Sequence, residues 1–167
     1  MKKNQLRNYQ ILSVIFTFIL GTLLHFTFEL TGKNPIIASF SAINESVWEH
    51  LKLLFFPMLI TIFIGYLYIG KGIPNFICSK TIGILISMAF TVIFFYTYSG
   101  ILGNNKALID ISSFFIAVIL GEYVSYKLIK NFFGCNNKIA IIILIIFLLC
   151  FVVFTYNTPN LGIFISP

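Results

Sequence analysis

The segment IAIIILIIFLLCFVVFTY, Ile139–Tyr156, decides the fold class, because it is an uninterrupted apolar run long enough to cross a membrane as one helix. A hydrocarbon core about 30 Å thick requires roughly 20 mainly apolar residues in helical form. Four similar runs precede it, at about Ile11–Leu30, Glu49–Ile69, Thr81–Leu102 and Leu108–Ile129. They are too long, and alternate too weakly, for the strands of a membrane barrel. The sequence therefore predicts an all-α bundle of five transmembrane helices, forming one domain over residues 1–167.

The composition supports this class. Hydrophobic residues make up 59% of the chain, charged residues only 10%, and the mean hydropathy is +0.99. A water-soluble domain needs more polar surface than these residues supply. We therefore expect a multi-pass protein of the cell membrane, with membrane lipids as its surroundings and partners.

The net charge of +6 is distributed unevenly between the two ends of the predicted bundle. Three basic residues fall at one end, namely Lys33, Lys52 and Lys106, and eight at the other, namely Lys2, Lys3, Arg7, Lys71, Lys80, Lys127, Lys130 and Lys138. Basic residues concentrate on the cytoplasmic side of membrane proteins. The pattern predicts a cytoplasmic N-terminus and an external C-terminus. The excess charge then indicates topology and contact with anionic lipid, not nucleic-acid binding.

The positions of the three cysteines in the sequence do not favour a disulfide. Cys78 and Cys135 fall in predicted cytoplasmic loops, and Cys150 falls inside the last span. Cytoplasmic thiols are kept reduced. The sequence therefore predicts no disulfide.

The stretch NESVWEHLK, Asn44–Lys52, is unusually polar for a position where an apolar helix begins. Its His50 lies roughly 9 Å below the outer end of the second span, and His25 lies roughly 7 Å below the outer end of the first, at 1.5 Å per residue. Because the two spans are consecutive and antiparallel, we expect the histidines to face each other. Glu29 shares a helix face with His25, while Glu45 and Glu49 lie near the mouth.

Imidazole and carboxylate groups together suit zinc, iron or manganese. The sequence predicts a metal site with His25, Glu29, Glu45 and His50 as ligands, and Glu49 and His50 as groups that take part in catalysis. Ionisable groups inside a bilayer are usually functional. This is the basis for a metal site rather than a purely structural cluster.

A structural alternative stays open for the same residues. Ser46 and Glu49 fit the S-x-x-E capping box of a helix N-terminus. Glu49 and Lys52 are spaced to form an ion pair, and Trp48 is placed to anchor the helix at the membrane interface. The fourth span carries a further polar residue, Glu122, which we expect to be paired or hydrogen-bonded at a separate, deeper position.

The chain resembles an uncharacterised family of small polytopic membrane proteins from Gram-positive bacteria. The residues that carry this resemblance are His25-Phe26 near the end of the first span and the Asn44–Lys52 block, N-E-S-x-W-E-H-L-K. A proline-bearing tail, Thr158–Pro167, is also similar, although the family's acidic residue near the end is replaced by Ser166-Pro167. The resemblance implies a membrane fold without implying an activity.

Glu45, Trp48, His50 and Leu51 also resemble a block in the progestin and adiponectin receptor and alkaline ceramidase group of membrane zinc hydrolases, which have seven helices and a later histidine pair. This resemblance favours hydrolysis among enzyme functions.

Three functions remain open from sequence. The first is a metal-dependent hydrolase or transferase that acts on a lipid-type substrate at the outer leaflet. The second is a small transporter or solute-binding subunit, in which a polar route joins Glu49, His50 and Glu122. It needs a homo-oligomer or a partner membrane subunit, because five helices are few for a lone transporter. The third is a structural or immunity-type membrane protein whose polar cluster carries no chemistry.

Overall fold

The computed structural model describes residues 3–131 and 133–167, and these form a helical bundle. Five long helices are α1 (Lys3–Leu30), α3 (Val47–Tyr68), α4 (Phe76–Leu102), α5 (Ala107–Lys130) and α6 (Asn137–Tyr156). A short helix, α2 (Pro35–Ala38), lies between α1 and α3, and single 3-10 turns occupy Gly70–Gly72 and Gly162–Phe164. All five long helices are apolar and long enough to cross a membrane. The predicted all-α bundle is confirmed in this respect.

The helix boundaries differ from the predicted spans at their polar ends. Helix α1 begins at Lys3 and not near Ile11, and α4 begins at Phe76 and not near Thr81. Lys80 therefore lies inside α4, where it is fully buried, and the prediction that it is a loop residue is wrong. Without Lys80 and Lys52, which is also buried, the basic residues still divide seven against two. The orientation expected from charge is unchanged, although Lys2 lies outside the described residues.

The two ends of the bundle are used as references below. The amino end is the one at which α1 begins and α3 ends, and the histidine end is the one at which α1 ends and α3 begins. Between them lies an apolar core that includes Leu54, Phe55 and Met58 of α3, with Ile84 of α4 and Val118 of α5. These five side chains are fully buried.

Helices α4 and α5 cross at a pair of glycines. A methyl group at Gly83 would lie 2.5 Å from the carbonyl oxygen of Gly121, and one at Gly121 would lie 2.5 Å from that of Gly83. At the same crossing, the Ser87 hydroxyl donates to the Ala117 carbonyl at 2.7 Å. Small residues permit such backbone contact between membrane helices, where lipid supplies no hydrophobic driving force.

Replacing Gly121 with alanine should therefore destabilise the protein by about 1–3 kcal/mol, because the added methyl group forces the two backbones apart. The matched control is Gly100→Ala on the exposed side of α4, where no atom lies within 4 Å of the new methyl group. There we expect a gain of about 0.5–1 kcal/mol from the better helix former. Equilibrium unfolding in mixed detergent micelles measures both. Equal changes in the free energy of unfolding for the two variants would contradict a tight crossing at Gly83 and Gly121.

Helices α1 and α3 are in close contact at the Leu53 carbonyl, which has no helical hydrogen-bond donor because of Pro57. Pro57 has no N–H, so the Leu53 carbonyl one turn earlier in α3 loses its helical donor. Gly21 of α1 packs against that carbonyl, since a methyl group at Gly21 would lie 2.5 Å from the oxygen. Gly21 and Gly121 thus both permit close contact between helices.

The amino end contains a covalent link that the sequence did not predict. Cys78 near the start of α4 and Cys135 in the turn between α5 and α6 form a disulfide, with their Cα atoms 6.1 Å apart. The prediction of no disulfide is wrong. It relied on compartment alone, whereas the α5–α6 turn folds directly over the first turn of α4: Cys78 N–H donates to the Asn137 side chain at 2.9 Å.

The tail after α6 returns to the bundle. Phe164 lies in the core, with its ring 4.9 Å from the Trp48 ring and 5.7 Å from the Phe154 ring. Trp48 is buried between these rings and Phe151, so its predicted role as an interfacial anchor is wrong. The tail thus closes the histidine end of the bundle over α3 and α6.

Candidate functional site

The segment that joins α1 to α3 is held against the bundle by its own polar groups. The Ser41 hydroxyl bonds to the Leu24 carbonyl and accepts the Phe28 N–H at 3.0 Å, which ties the segment to the last turns of α1. Tyr156 at the end of α6 bonds to the Pro35 carbonyl and to the Ser39 hydroxyl. These contacts fix the path of the chain toward Glu45.

The first turn of α3 begins at a capped residue. Ser46 is the N-cap, and its hydroxyl accepts the Glu49 N–H at 3.4 Å. The Ser46 N–H bonds to the side chain of Asn44 at 2.9 Å. The predicted capping box is therefore only half present, because Asn44 takes the contact that Glu49 would make. The Glu49 carboxylate is left to bond elsewhere.

Glu49 and Lys52 form a buried ion pair instead of lining the mouth. The Lys52 ammonium lies 2.5 Å from the Glu49 carboxylate and also donates to the Ala38 carbonyl at 2.7 Å and the Thr155 hydroxyl at 3.0 Å. Glu49 in turn accepts the Ile43 N–H at 2.9 Å. The pair thus joins the connecting segment, α3 and α6. This arrangement is the one that the structural alternative described for these two residues.

A cluster of His25, Glu45 and His50 lies beside this ion pair, and we call it the histidine cluster. The Glu45 carboxylate lies 3.8 Å from Nε2 of His25 and 3.5 Å from Nε2 of His50. The two imidazole rings are 5.4 Å apart between centroids. The structure therefore brings the two histidines together across α1 and α3, with their rings tilted by 38° and a carboxylate in reach, and this proximity is the arrangement expected from their depth.

The hydrogen bonds of His50 select one form of its ring. Nδ1 lies 2.9 Å from the Ser46 carbonyl oxygen, which can only accept a hydrogen bond, so Nδ1 carries the hydrogen and donates it. In the neutral ring, Nε2 then presents a lone pair toward Glu45 and His25. A backbone carbonyl that orients the second nitrogen in this way is the usual support of a metal-binding histidine.

The spacing of the cluster fits a single metal ion after a small contraction. One ligand atom from each of the three residues lies within 4.8 Å of the other two. Nitrogen and oxygen ligands lie about 2.0–2.2 Å from zinc. The ligand atoms of a tetrahedral zinc site are therefore somewhat closer to one another than 4.8 Å. Glu45 is two-thirds exposed and both histidines about one-third exposed. A bound ion would therefore keep a position open to water or substrate.

Other predicted site residues lie outside this cluster. Glu29 is exposed and pairs with Lys33 at 3.7 Å, so the structure does not bring it to the other three ligands. Glu49 is committed to Lys52, and the Ser46 hydroxyl to the helix cap. None of these three offers a free group to the histidine cluster as it stands.

A second polar group lies in the amino-end half of the bundle, and we call it the lysine cluster. Lys80 donates to both oxygens of the Glu122 carboxylate, at 2.6 and 2.5 Å, and to the Gln10 side-chain oxygen at 3.2 Å. Gln10 also donates to the Ser125 hydroxyl at 3.0 Å. Glu122 was expected to be paired or hydrogen-bonded, but Lys80 was not identified as its partner. Gln10, Ser13 and Thr17 recur at helical spacing on one buried face of α1, and this polar face could have indicated a buried polar cluster.

Over residues 3–131 and 133–167, these features define a class: a helical protein with five candidate membrane spans, a half-exposed His/Glu cluster at one end and a buried Lys/Glu cluster toward the other. The chain belongs to a family of unknown function (DUF6512), which matches residues 1–166. No curated protein and no solved structure matches it.

Proposed function

We propose that the protein is a membrane-embedded, metal-dependent hydrolase or transferase. The observation that carries this proposal is the convergence of His25 Nε2, Glu45 and His50 Nε2 within 4.8 Å, with His50 held in the tautomer that leaves Nε2 free. Three protein ligands plus an open position are typical of catalytic metal sites. His25, Glu45 and His50 would hold the ion. A zinc, iron or manganese ion bound there would act as a Lewis acid and activate water.

The chain's own residues would supply the geometry. Ser46 orients the His50 ring through its carbonyl, and Glu45 directly precedes this N-cap residue of α3. The Glu49–Lys52 pair fixes the connecting segment and is a positioning element in this proposal. Glu49, which we expected to take part in catalysis, has no catalytic role in this proposal, because its carboxylate is already bonded to Lys52 and the Ile43 N–H.

The surroundings of the histidine cluster favour a lipid-type substrate. Phe26 packs edge-on against the His25 ring at 4.9 Å and is 55% exposed, and Leu30 one turn later is 84% exposed. In a membrane these side chains face acyl chains and headgroups. A substrate with an apolar chain would therefore reach the cluster from the side of the bilayer while its polar group meets the ligands.

Metal content tests this proposal directly. Protein purified from cells grown with added zinc, iron and manganese should carry about one metal ion per chain, measured by inductively coupled plasma mass spectrometry. The His25→Ala, His50→Ala double variant should lose it, since a single carboxylate rarely retains such ions. Affinity should also fall in acid, because protons compete for the ligand atoms.

The matched control is Glu29→Gln, one turn from His25 on the same helix but paired with Lys33 outside the cluster. It should keep wild-type metal content. Metal-free wild-type protein that also fails to bind added zinc would overturn the proposal and favour the purely structural role. Loss of metal in the control would show that the ligand set is wrong.

Transport is less well supported than metal-dependent chemistry. A through-route would have to join the histidine cluster to Glu122, yet Leu54, Phe55 and Met58 follow Lys52 along α3, and Ile84 and Val118 lie between the clusters on α4 and α5. This apolar layer argues against a continuous polar path within the part of the chain that the structure describes.

A further inference from the structure

The lysine cluster is the strongest buried feature that the proposed function does not use. Lys80 is 0% and Glu122 1% exposed, and both lie in helices that are long and apolar enough to cross a membrane. The Lys80 ammonium is surrounded by the two Glu122 oxygens, the Gln10 oxygen and the face of the Tyr9 ring, whose centroid is 5.0 Å away. Burying two charges is unfavourable unless their mutual attraction and further hydrogen bonds compensate for the lost hydration. Ionisable groups at such positions commonly serve proton or ion movement.

Three hydroxyls on the same helices have no hydrogen-bond partner among the described residues. Ser13 and Thr17 follow Gln10 at three and seven residues along the buried face of α1, and Ser79 precedes Lys80 in α4. All three residues are at least 98% buried. Other helical hydroxyls in this chain donate to the carbonyl one turn earlier, as in Thr22, Thr81 and Thr91. Ser13, Thr17 and Ser79 do not donate to such a carbonyl, so their hydroxyl groups remain available to another acceptor.

Buried polar atoms without protein partners are normally satisfied by ordered water, which makes about three hydrogen bonds per molecule. We propose that Gln10, Lys80 and Glu122, with the Ser13 and Ser79 hydroxyls, line an internal chamber that holds water and exchanges protons with the amino end of the bundle. Lys80 lies only one turn from the start of α4, so the chamber is close to that end. The apolar layer that includes Ile84 and Val118 closes it toward the histidine end.

The proton step is simple in this arrangement. Water takes a proton from the bulk solvent at the amino end and passes it to the Glu122 carboxylate, where one O–H bond forms. On return to neutral solution, that bond breaks and the proton leaves through the same water. The charged group bonded to this carboxylate is Lys80 of α4. Gln10 of α1 accepts from the same ammonium and donates to Ser125, whose hydroxyl donates to the backbone carbonyl of Glu122. The chamber is a one-sided proton site and does not cross the apolar layer.

Cysteine accessibility tests whether the chamber holds water. In a background with Cys78, Cys135 and Cys150 replaced by serine, Ser13→Cys and Ser79→Cys are treated with a small, permeant thiosulfonate reagent. The control is Ser87→Cys, which is equally buried but sits at the dry α4–α5 crossing, where the serine hydroxyl bonds to the Ala117 carbonyl. The chamber positions should react about tenfold or more faster, because only an ionised thiolate in contact with water is nucleophilic.

Infrared difference spectroscopy tests the proton exchange. Acidifying the wild-type protein should produce a carboxylic-acid C=O band that Glu122→Gln lacks and that Asp110→Asn, altered at the far end of α5, retains. Reaction of both chamber cysteines as slow as that of Ser87→Cys would overturn the proposal. So would identical infrared spectra for the wild type and Glu122→Gln. Metal content is untouched by either result, so the test is independent of the histidine cluster.

Discussion

Replacing Lys52 with methionine should destabilise the protein by about 3–5 kcal/mol, because it leaves the Glu49 carboxylate buried without its counter-charge. Glu49 is 3% exposed, and water cannot substitute for the ammonium at that position. The loss should appear in equilibrium unfolding of the purified protein in mixed micelles. The control is Lys33→Met, which removes an exposed ion pair with Glu29 and should cost at most about 1 kcal/mol.

Removing both partners should not restore this stability. Lys52 also satisfies the Ala38 carbonyl, and Glu49 satisfies the Ile43 N–H. The Lys52→Met, Glu49→Leu variant leaves both backbone groups without partners, at about 1–3 kcal/mol for each group that stays buried. A double variant as stable as the wild type would show that the pair does not hold the connecting segment. Metal binding by that variant would then reveal whether Glu45 is still positioned.

The Lys80–Glu122 pair should behave differently. Lys80→Met alone should cost about 3–5 kcal/mol, since the buried Glu122 carboxylate would lose its counter-charge. The Lys80→Met, Glu122→Leu variant should recover to within about 1 kcal/mol of the wild type, because buried ion pairs are often replaceable by apolar residues of similar volume. The contacts that remain, from Gln10 to Ser125 and from Ser125 to the Glu122 carbonyl, do not depend on the charges.

The same unfolding assay measures this cycle. A double variant that stays as unstable as the single one would mean that the charges themselves support the packing of α4 on α5. Recovery of stability, combined with loss of the infrared band and of fast thiol labelling, would separate the chamber's chemistry from the stability of the bundle. The two pairs thus form a matched comparison, one tied to backbone groups and the other to side chains.

The fold was predictable because apolar runs of membrane length have few alternatives in lipid. The facing positions of His25 and His50 were also predictable, since consecutive antiparallel helices place residues at equal depth side by side. The partner carboxylate was harder to choose. Glu29 shares a helix face with His25, but the turn at Gly32 and Lys33, with φ values of 69° and 62°, brings Lys33 back to pair with it. Glu45 reaches the histidines only through the fold of the connecting segment.

Lys80 shows why the rest was not predictable from one sequence. A lysine next to an apolar run is usually a loop residue at the membrane surface, and its charge is then a topology signal. Here its carboxylate partner is 42 residues away on another helix, and only the α4–α5 crossing at Gly83 and Gly121 makes the contact possible. The disulfide depended in the same way on a turn whose path the local sequence does not encode.

The Cys78–Cys135 bond also determines whether a chain cleaved between these two cysteines stays covalently joined. It closes a ring that contains most of α4, all of α5 and the exposed turn between them, including Lys106. A single tryptic cut after Lys106 would divide the backbone into residues 1–106 and 107–167, with one of the two cysteines in each piece. In the oxidised chain the pieces would still migrate together on a denaturing gel and would separate only when a reductant is added. The mobility of the cleaved chain on the gel would therefore show whether Cys78 and Cys135 are bonded.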